Sequence, residues 1–289
     1  MSERLPLSGR SEGFTLVEMI MVIVITGIIA GVVTIFLQKP VQGYFDAVRR
    51  AGLSDVADGA LRRIARDIQT ALPNSIRSTD ANNYFLEFLP VRSGGRYCAS
   101  SDCGDALDTS AADTAFTVLG PCLEIRTGDG IVIYNTGQAG ANAYAAAENR
   151  APFSAAAADS AGCAPGTLFS KVGFSGFQFP RDSPTYRFDV ISTPVTYACE
   201  PGTATLWRYS GYAIQAGQPT SIAALNGFAG VVKAALVATN VVCPSDASNL
   251  GSGFEVRNAD GLVSLRIELR DSSGETINLY REVHIENAP

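Results

Sequence analysis

A single carboxylate, Glu18, interrupts the otherwise apolar run from Phe14 to Leu37, FTLVEMIMVIVITGIIAGVVTIFL. A charge at mid-bilayer costs about 2.5–3.5 kcal/mol on insertion scales, so an acid in such a run marks a functional site by default. The plainer alternative is a residue near the start of a span that reaches back to the headgroups. Other reactive groups are sparse. His284 is the only histidine, so a Ser-His-Asp or Cys-His arrangement has one candidate base and no local motif. No Walker sequence and no GxGxxG opening a helix occurs. Asp102, Asp105, Asp108 and Asp113 cluster, but their spacing is not that of an EF-hand, and they read as loop acids before a Ca²⁺ site. Trp207, Tyr209 and Tyr212 read as packing residues before an exposed aromatic patch for sugar. The sequence predicts no enzyme: no catalytic residue, no metal and no cofactor.

Six cysteines, Cys98, Cys103, Cys122, Cys163, Cys199 and Cys243, form an even set without a CxxC pair. Disulfides in an oxidising compartment fit this usage better than free cytosolic thiols. Fifteen pairings are possible. Cys98–Cys103 as a small loop and Cys199–Cys243 across later strands are favoured, leaving Cys122–Cys163. Hydrophobic residues make up 46% and charged residues 17%, which excludes wholesale disorder. A net charge of -6 with three scattered lysines, Lys39, Lys171 and Lys233, argues against nucleic acid as a partner.

The elements that must carry these residues follow from hydropathy. At ~1.5 Å per residue the run 14–37 makes a helix of roughly 36 Å, enough to cross a ~30 Å hydrocarbon core with some tilt. No small-residue cleavage site follows it, as a secretory signal peptide would require, so it reads as an anchor in the lipid bilayer. Flanking charges leave its orientation open, since Arg4 and Arg10 are offset by Glu3 and Glu12, while Lys39, Arg49 and Arg50 follow. Disulfides put the body outside the cytoplasm. Pro40 is expected to kink or interrupt the helix. An apolar stripe then resumes at Val41, Phe45, Val48, Val56, Leu61, Ile64, Ile68 and Leu72, ended by Pro73 and Asn74.

After residue 80 the pattern turns to strands. Tyr84–Leu89 is one, and Leu123–Arg126 with Ile131–Tyr134 reads as a hairpin around Thr127-Gly128-Asp129-Gly130. Further strands are predicted at Gly173–Phe179, Tyr186–Ser192, Thr205–Ile214 and Val231–Val242. Gly137–Gly166 reads as a long Ala-rich surface loop tied down by Cys163. Val263, Leu265, Ile267 and Leu269 alternate with polar residues, Asp271-Ser272-Ser273-Gly274 turns the chain, and a return strand carries Ile277, Leu279, Val283 and Ile285 with a bulge expected near Arg281. Four regions result: a leader 1–13, a membrane helix 14–37, an amphipathic continuation and linker 38–80, and a β-rich body 81–289.

Gly13-Phe14-Thr15-Leu16-Val17-Glu18 resembles the cleavage box of the type IV pilin family. The resemblance implies that a prepilin peptidase cuts between Gly13 and Phe14 and methylates the Phe14 amine, and that Glu18 directs assembly with other major and minor pilins on an inner-membrane platform. The segments VQGYFDAVRRAGLSDVADGALRRIARDIQTALPNSIR and GLVSLRIELRDSSGETINLYREVHIENAP are similar to the MshO-type minor pilins of mannose-sensitive haemagglutinin (MSHA) pilus systems. Those are relatives of the J-type minor pseudopilins of type II secretion. The family implies an α+β fold, with a long N-terminal helix packed on antiparallel sheets. It also implies an inner-membrane protein with a periplasmic body. The large mature chain and its long Ala-rich loop would crowd a helical lattice, so the chain is expected at or near the tip, where it helps to initiate or cap the filament. A secretion pseudopilin, or a tethered periplasmic adhesin or enzyme, are the other readings; a simple tether needs neither Gly13 nor Glu18.

Overall fold

From Leu16 onward the chain is rich in Leu, Ile, Val and Met, and it forms one helix, α1, over Leu16–Ile68. The computed structural model describes residues 13–79, 84–244, 251–257 and 261–285; leader residues 1–12 lie outside them. The chain divides into two compact units, Met1–Gly52 and Leu53–Pro289. In the first, the apolar segment satisfies its own hydroxyls within the helix. Thr26 Oγ1 donates to the Val22 carbonyl, and Thr34 Oγ1 donates to the Ala30 carbonyl at 2.8 Å. Pro40 lies inside α1 and does not interrupt it. Its ring removes the bond that its own N–H would have made, and the helix continues past it.

In the second unit, Ala57, Ala60, Leu61, Ile64, Ala65 and Ile68 repeat at helical spacing and are buried. The expected stripe holds at Leu61, Ile64, Ile68 and Leu72, but Val56 is 43% exposed, and alanines complete the buried face. The helix ends before Pro73. Thr70 N–H bonds the Asp67 carbonyl, and Leu72 N–H leaves for the Leu89 carbonyl at 2.7 Å.

The strands follow in chain order. The first are β1 (Phe85–Phe88), β2 (Val91–Tyr97), β3 (Asp113–Leu119), β4 (Leu123–Glu124) and β5 (Gly130–Val132). Then come β6 (Arg150–Pro152), β7 (Leu168–Phe169), β8 (Lys171–Phe177) and β9 (Arg187–Ile191). The last are β10 (Val195–Glu200), β11 (Thr205–Ser210), β12 (Val232–Thr239), β13 (Gly253–Arg257), β14 (Leu262–Arg270) and β15 (Thr276–His284). A short helix, α2 (Ile222–Gly227), capped by Ser221, precedes β12. The fold is α+β with antiparallel sheets, a long N-terminal helix leading the β-rich body.

Two cores divide the body. One holds the buried face of α1, Leu86 and Phe88 of β1, Tyr197 of β10, Leu206 of β11, and Val263, Leu265, Ile267 and Leu269 of β14. Asp67 ties helix to sheet, accepting from Tyr197 Oη and Arg208 Nε, both at 2.8 Å. The other core is aromatic, with Tyr97, Phe116, Phe174, Phe179 and Phe188 inside the sheet β6-β5-β9-β2-β3-β8. Its two edges meet, since Phe153 bridges Phe174 and Ser154 N–H bonds the Gly173 carbonyl at 2.9 Å, so the sheet closes on itself.

This closed sheet is an insertion. β1 and β10 are hydrogen-bonded neighbours, Phe85↔Ala198 to Phe88↔Val195, and all of β2–β9 lies between them in sequence. A smaller apolar cluster, including Leu72, Leu89, Val132, Tyr144 and Ile191, fills the seam between insertion and parent sheet. The seam also holds the buried ion pair of Arg77 Nε with Glu87 Oε2 at 2.7 Å, and the Arg77 guanidinium stacks 3.5 Å over the Tyr144 ring. Burial pushes the Glu87 carboxyl above its ordinary range against the pull of Arg77.

Three local expectations change. The turn at residues 127–130 does not join a hairpin, because β4 pairs with β7, while β5 pairs with β6 and β9. Buried Asp129 holds that turn, accepting from Arg92 Nε and from Arg126 N–H at 2.8 Å each. The stretch 137–166 is not all surface, since Ala141, Ala143, Tyr144 and Ala151 are buried. The final hairpin has no bulge, running in unbroken register from Leu262↔His284 to Arg270↔Thr276. Ile277, Leu279, Arg281, Val283 and Ile285 are in one phase, and Arg281 is an exposed residue within it.

Candidate processing and assembly site

Gly13, Phe14 and Thr15 precede the first turn of α1 without helical structure, and Phe14 is 77% exposed. An accessible peptide bond outside the helix, as between Gly13 and Phe14, is what a peptidase needs. Thr15 caps the helix. Its Oγ1 accepts from the Glu18 N–H at 3.3 Å, and its carbonyl accepts from Met19 N–H at 3.2 Å. Thr15 to Glu18 thus has capping-box spacing, a second meaning of the TLVE residues that the sequence reading missed although the spacing was visible. Glu18 sits in the first turn, where the positive end of the helix dipole favours a carboxylate.

From Leu16 to Leu37 every large apolar side chain described is exposed, from Val33 at 47% to Phe36 at 77%. A contiguous apolar surface of this kind is stable only against lipid or other protein. Among the described residues, α1 is the one helix long and apolar enough to cross a membrane. Beyond Pro40, Val41, Tyr44, Phe45 and Val48 remain exposed as well. A Cβ at Gly13, Gly27 or Gly31 would meet no atom within 4 Å. No contact within the chain demands those glycines.

The remaining candidates are dispersed. Cys98–Cys103, Cys122–Cys163 and Cys199–Cys243 are bonded, with Cα separations of 5.7, 5.9 and 5.8 Å. These are the favoured pairs. Asp105 pairs with Lys171 at 2.7 Å, Asp108 Oδ1 accepts from Ser110, and Asp113 Oδ2 accepts from the Asp108 N–H. Among the described residues no group of three or more His, Cys, Asp or Glu converges as metal ligands. Tyr209 and Tyr212 are buried, with their hydroxyls on Glu200 and Glu87. His284 is exposed on β15.

Residues 9–34 match the prokaryotic N-terminal methylation motif. The methylation motif therefore covers the cleavage box, Glu18 and most of the exposed apolar helix. It supports a type IV pilin-like or pseudopilin-like protein, and it implies processing by a prepilin peptidase and assembly with other pilins. The apolar helix within it fits a single-pass inner-membrane anchor followed by a C-terminal body. No curated protein and no solved structure matches the chain.

Proposed function

We propose that the protein is a minor type IV pilin of the MSHA type, which enters the filament at or near its tip and helps to initiate it. In this reading the peptidase cuts between Gly13 and Phe14 and methylates the Phe14 amine, and the platform then lifts α1 out of the inner membrane. Its body lies in the periplasm with its disulfides formed, and it acts by assembly rather than catalysis. The observation that carries the reading is the methylation motif at the head of a helix whose large apolar side chains from Leu16 to Leu37 are exposed. The Phe14 ammonium and the Glu18 carboxylate are each costly in lipid. Across two neighbouring subunits they form one neutral pair, which fixes axial register.

The tip position rests on bulk. A closed sheet inserted between two neighbouring strands enlarges the body, and a large body crowds a helical lattice everywhere except at its end. Intact mass and N-terminal analysis of protein from cells that contain the peptidase tests the processing, with methylated Phe14 expected as residue one. Retention of Met1 in an assembled filament overturns the pilin reading. Copies counted per filament test the position, and dense labelling along the shaft makes this a major pilin.

A further inference from the structure

The outward face of β2 and β9 gathers several locally unfavourable choices. Arg96 and Arg187 are direct cross-strand partners. Like charges so placed repel. Among the described residues neither guanidinium has a carboxylate within 4.0 Å. Arg96 Nε donates only to the Thr185 carbonyl, at 3.0 Å. Two residues along β9, the Asp189 carboxylate is half-buried and makes no hydrogen bond among the described residues. Glycine makes room for it, since a Cβ at Gly94 would stand 2.8 Å from Asp189 Oδ1. Tyr186, between Thr185 and Arg187, holds a left-handed φ of 57°, unfavourable for an aromatic residue. Such departures from local rules collect at functional sites.

Gly94, Gly95, Arg96, Thr185 and Arg187 line an open groove of about 460 Å³. We propose that this groove binds an acidic saccharide, with Arg96 and Arg187 holding the sugar carboxylate and Asp189 accepting hydrogen bonds from adjacent hydroxyls. Two guanidiniums on neighbouring strands offer the paired donors that a carboxylate takes. An inorganic dianion would satisfy the arginines but leave Asp189 repelled and unbonded. A sugar acid supplies the anion and the hydroxyl donors together, and the groove's size suits a ring rather than a single ion. This reading is independent of the filament role, since none of these residues lies in α1.

Calorimetry on the detergent-solubilised full chain tests it, with trigalacturonate, a hyaluronan tetrasaccharide and sialyllactose as probes, and with neutral galactotriose and sodium sulfate as controls. At least one acidic probe should bind and galactotriose should not. Arg96→Gln and Arg187→Gln should each weaken that probe roughly tenfold, the size of one charge-assisted contact. Asp189→Asn should weaken the saccharide while leaving sulfate no weaker. Circular dichroism checks that each variant is folded, and Arg126→Gln, an exposed arginine outside the groove, should bind as the parent does. Failure of all three acidic probes, or binding indifferent to both arginine variants, overturns the proposal. Sulfate binding as tightly as the best saccharide shows an adventitious ion only, and overturns it too.

Discussion

Glu18 and Asp189 are two carboxylates whose surroundings set opposite expectations. Glu18 has an exposed place in the first helical turn and the favourable end of the dipole, so it is free to face a neighbour. Glu18→Ala should leave cleavage and folding intact but reduce incorporation into filaments, read as the ratio of filament-bound to membrane-bound subunit. Equal ratios for parent and variant would remove Glu18 from assembly. Asp189 is held back by burial, which raises it to about 6, opposed only in part by the nearby Arg187 charge. Its folded-state value lies above the ordinary one, so its contribution to stability is fullest below about pH 4 and is lost as pH rises through 6. Asp189→Asn should therefore stabilise the protein above pH 6, by on the order of 1–2 kcal/mol, with the difference fading below about pH 4. Denaturant melts at pH 4 and pH 7.5 check the sign. Residues of the processing box were plain in the sequence because their spacing is local. Arg96, Arg187 and Asp189 were not, because Arg96 meets the other two only when β2 is laid beside β9.

At the level of elements, legibility followed one-sided burial. β14 buries every apolar residue and, from Arg266 on, leaves the polar ones between them less buried, and β1, β9, β11 and β12 each fell within a predicted span. β10 was missed because all six of its residues are buried, which erases alternation. β2 was missed because Ser93-Gly94-Gly95 carries almost no side-chain pattern. The helix was more continuous than read, since one proline costs it a bond and not its continuity. Closure of the inserted sheet turns on one residue that no propensity singles out. A Cβ at Gly173 would come within 2.3 Å of the Ala158 backbone nitrogen and 2.4 Å of the Ala157 carbonyl carbon. Backbone cannot yield as a side-chain tip can. Gly173→Ala should separate the β6 and β8 edges and destabilise the insertion by more than about 3 kcal/mol, the range of severe overpacking. Hydrogen exchange should show protection lost around residues 150–154 and 171–177, with β14 and β15 unchanged. Unaltered exchange at those segments would mean the edges are not held there.

For the whole molecule, the α+β plan was legible and the insertion was not. β1 and β10 pair across more than a hundred intervening residues, and their sequences carry no sign of being neighbours. Replacing residues 90–193 by an Asn-Gly turn should leave α1, the parent sheet and the Cys199–Cys243 bond intact, because one core excludes the inserted strands entirely. The cost falls on the seam, where Arg77 loses the Tyr144 ring and Leu72 loses its apolar neighbours. A cooperative melt with a lowered midpoint is expected, and a chain that aggregates without one would show that the two cores fold only together. The junction also decides how the molecule bears tension. A pull on the inserted sheet arrives at Phe88 and Val195 together, the last paired positions of β1 and β10. Load applied at one end of an antiparallel pair peels its hydrogen bonds in turn, which takes little force per step. After Phe85↔Ala198 the next residue is Cys199, covalently fixed to Cys243. On the β10 side peeling meets a covalent stop at that bond. The four pairs before it carry Leu86, Phe88 and Tyr197 of the parent core, so a tug on the insertion loads that core at once and is limited by the disulfide.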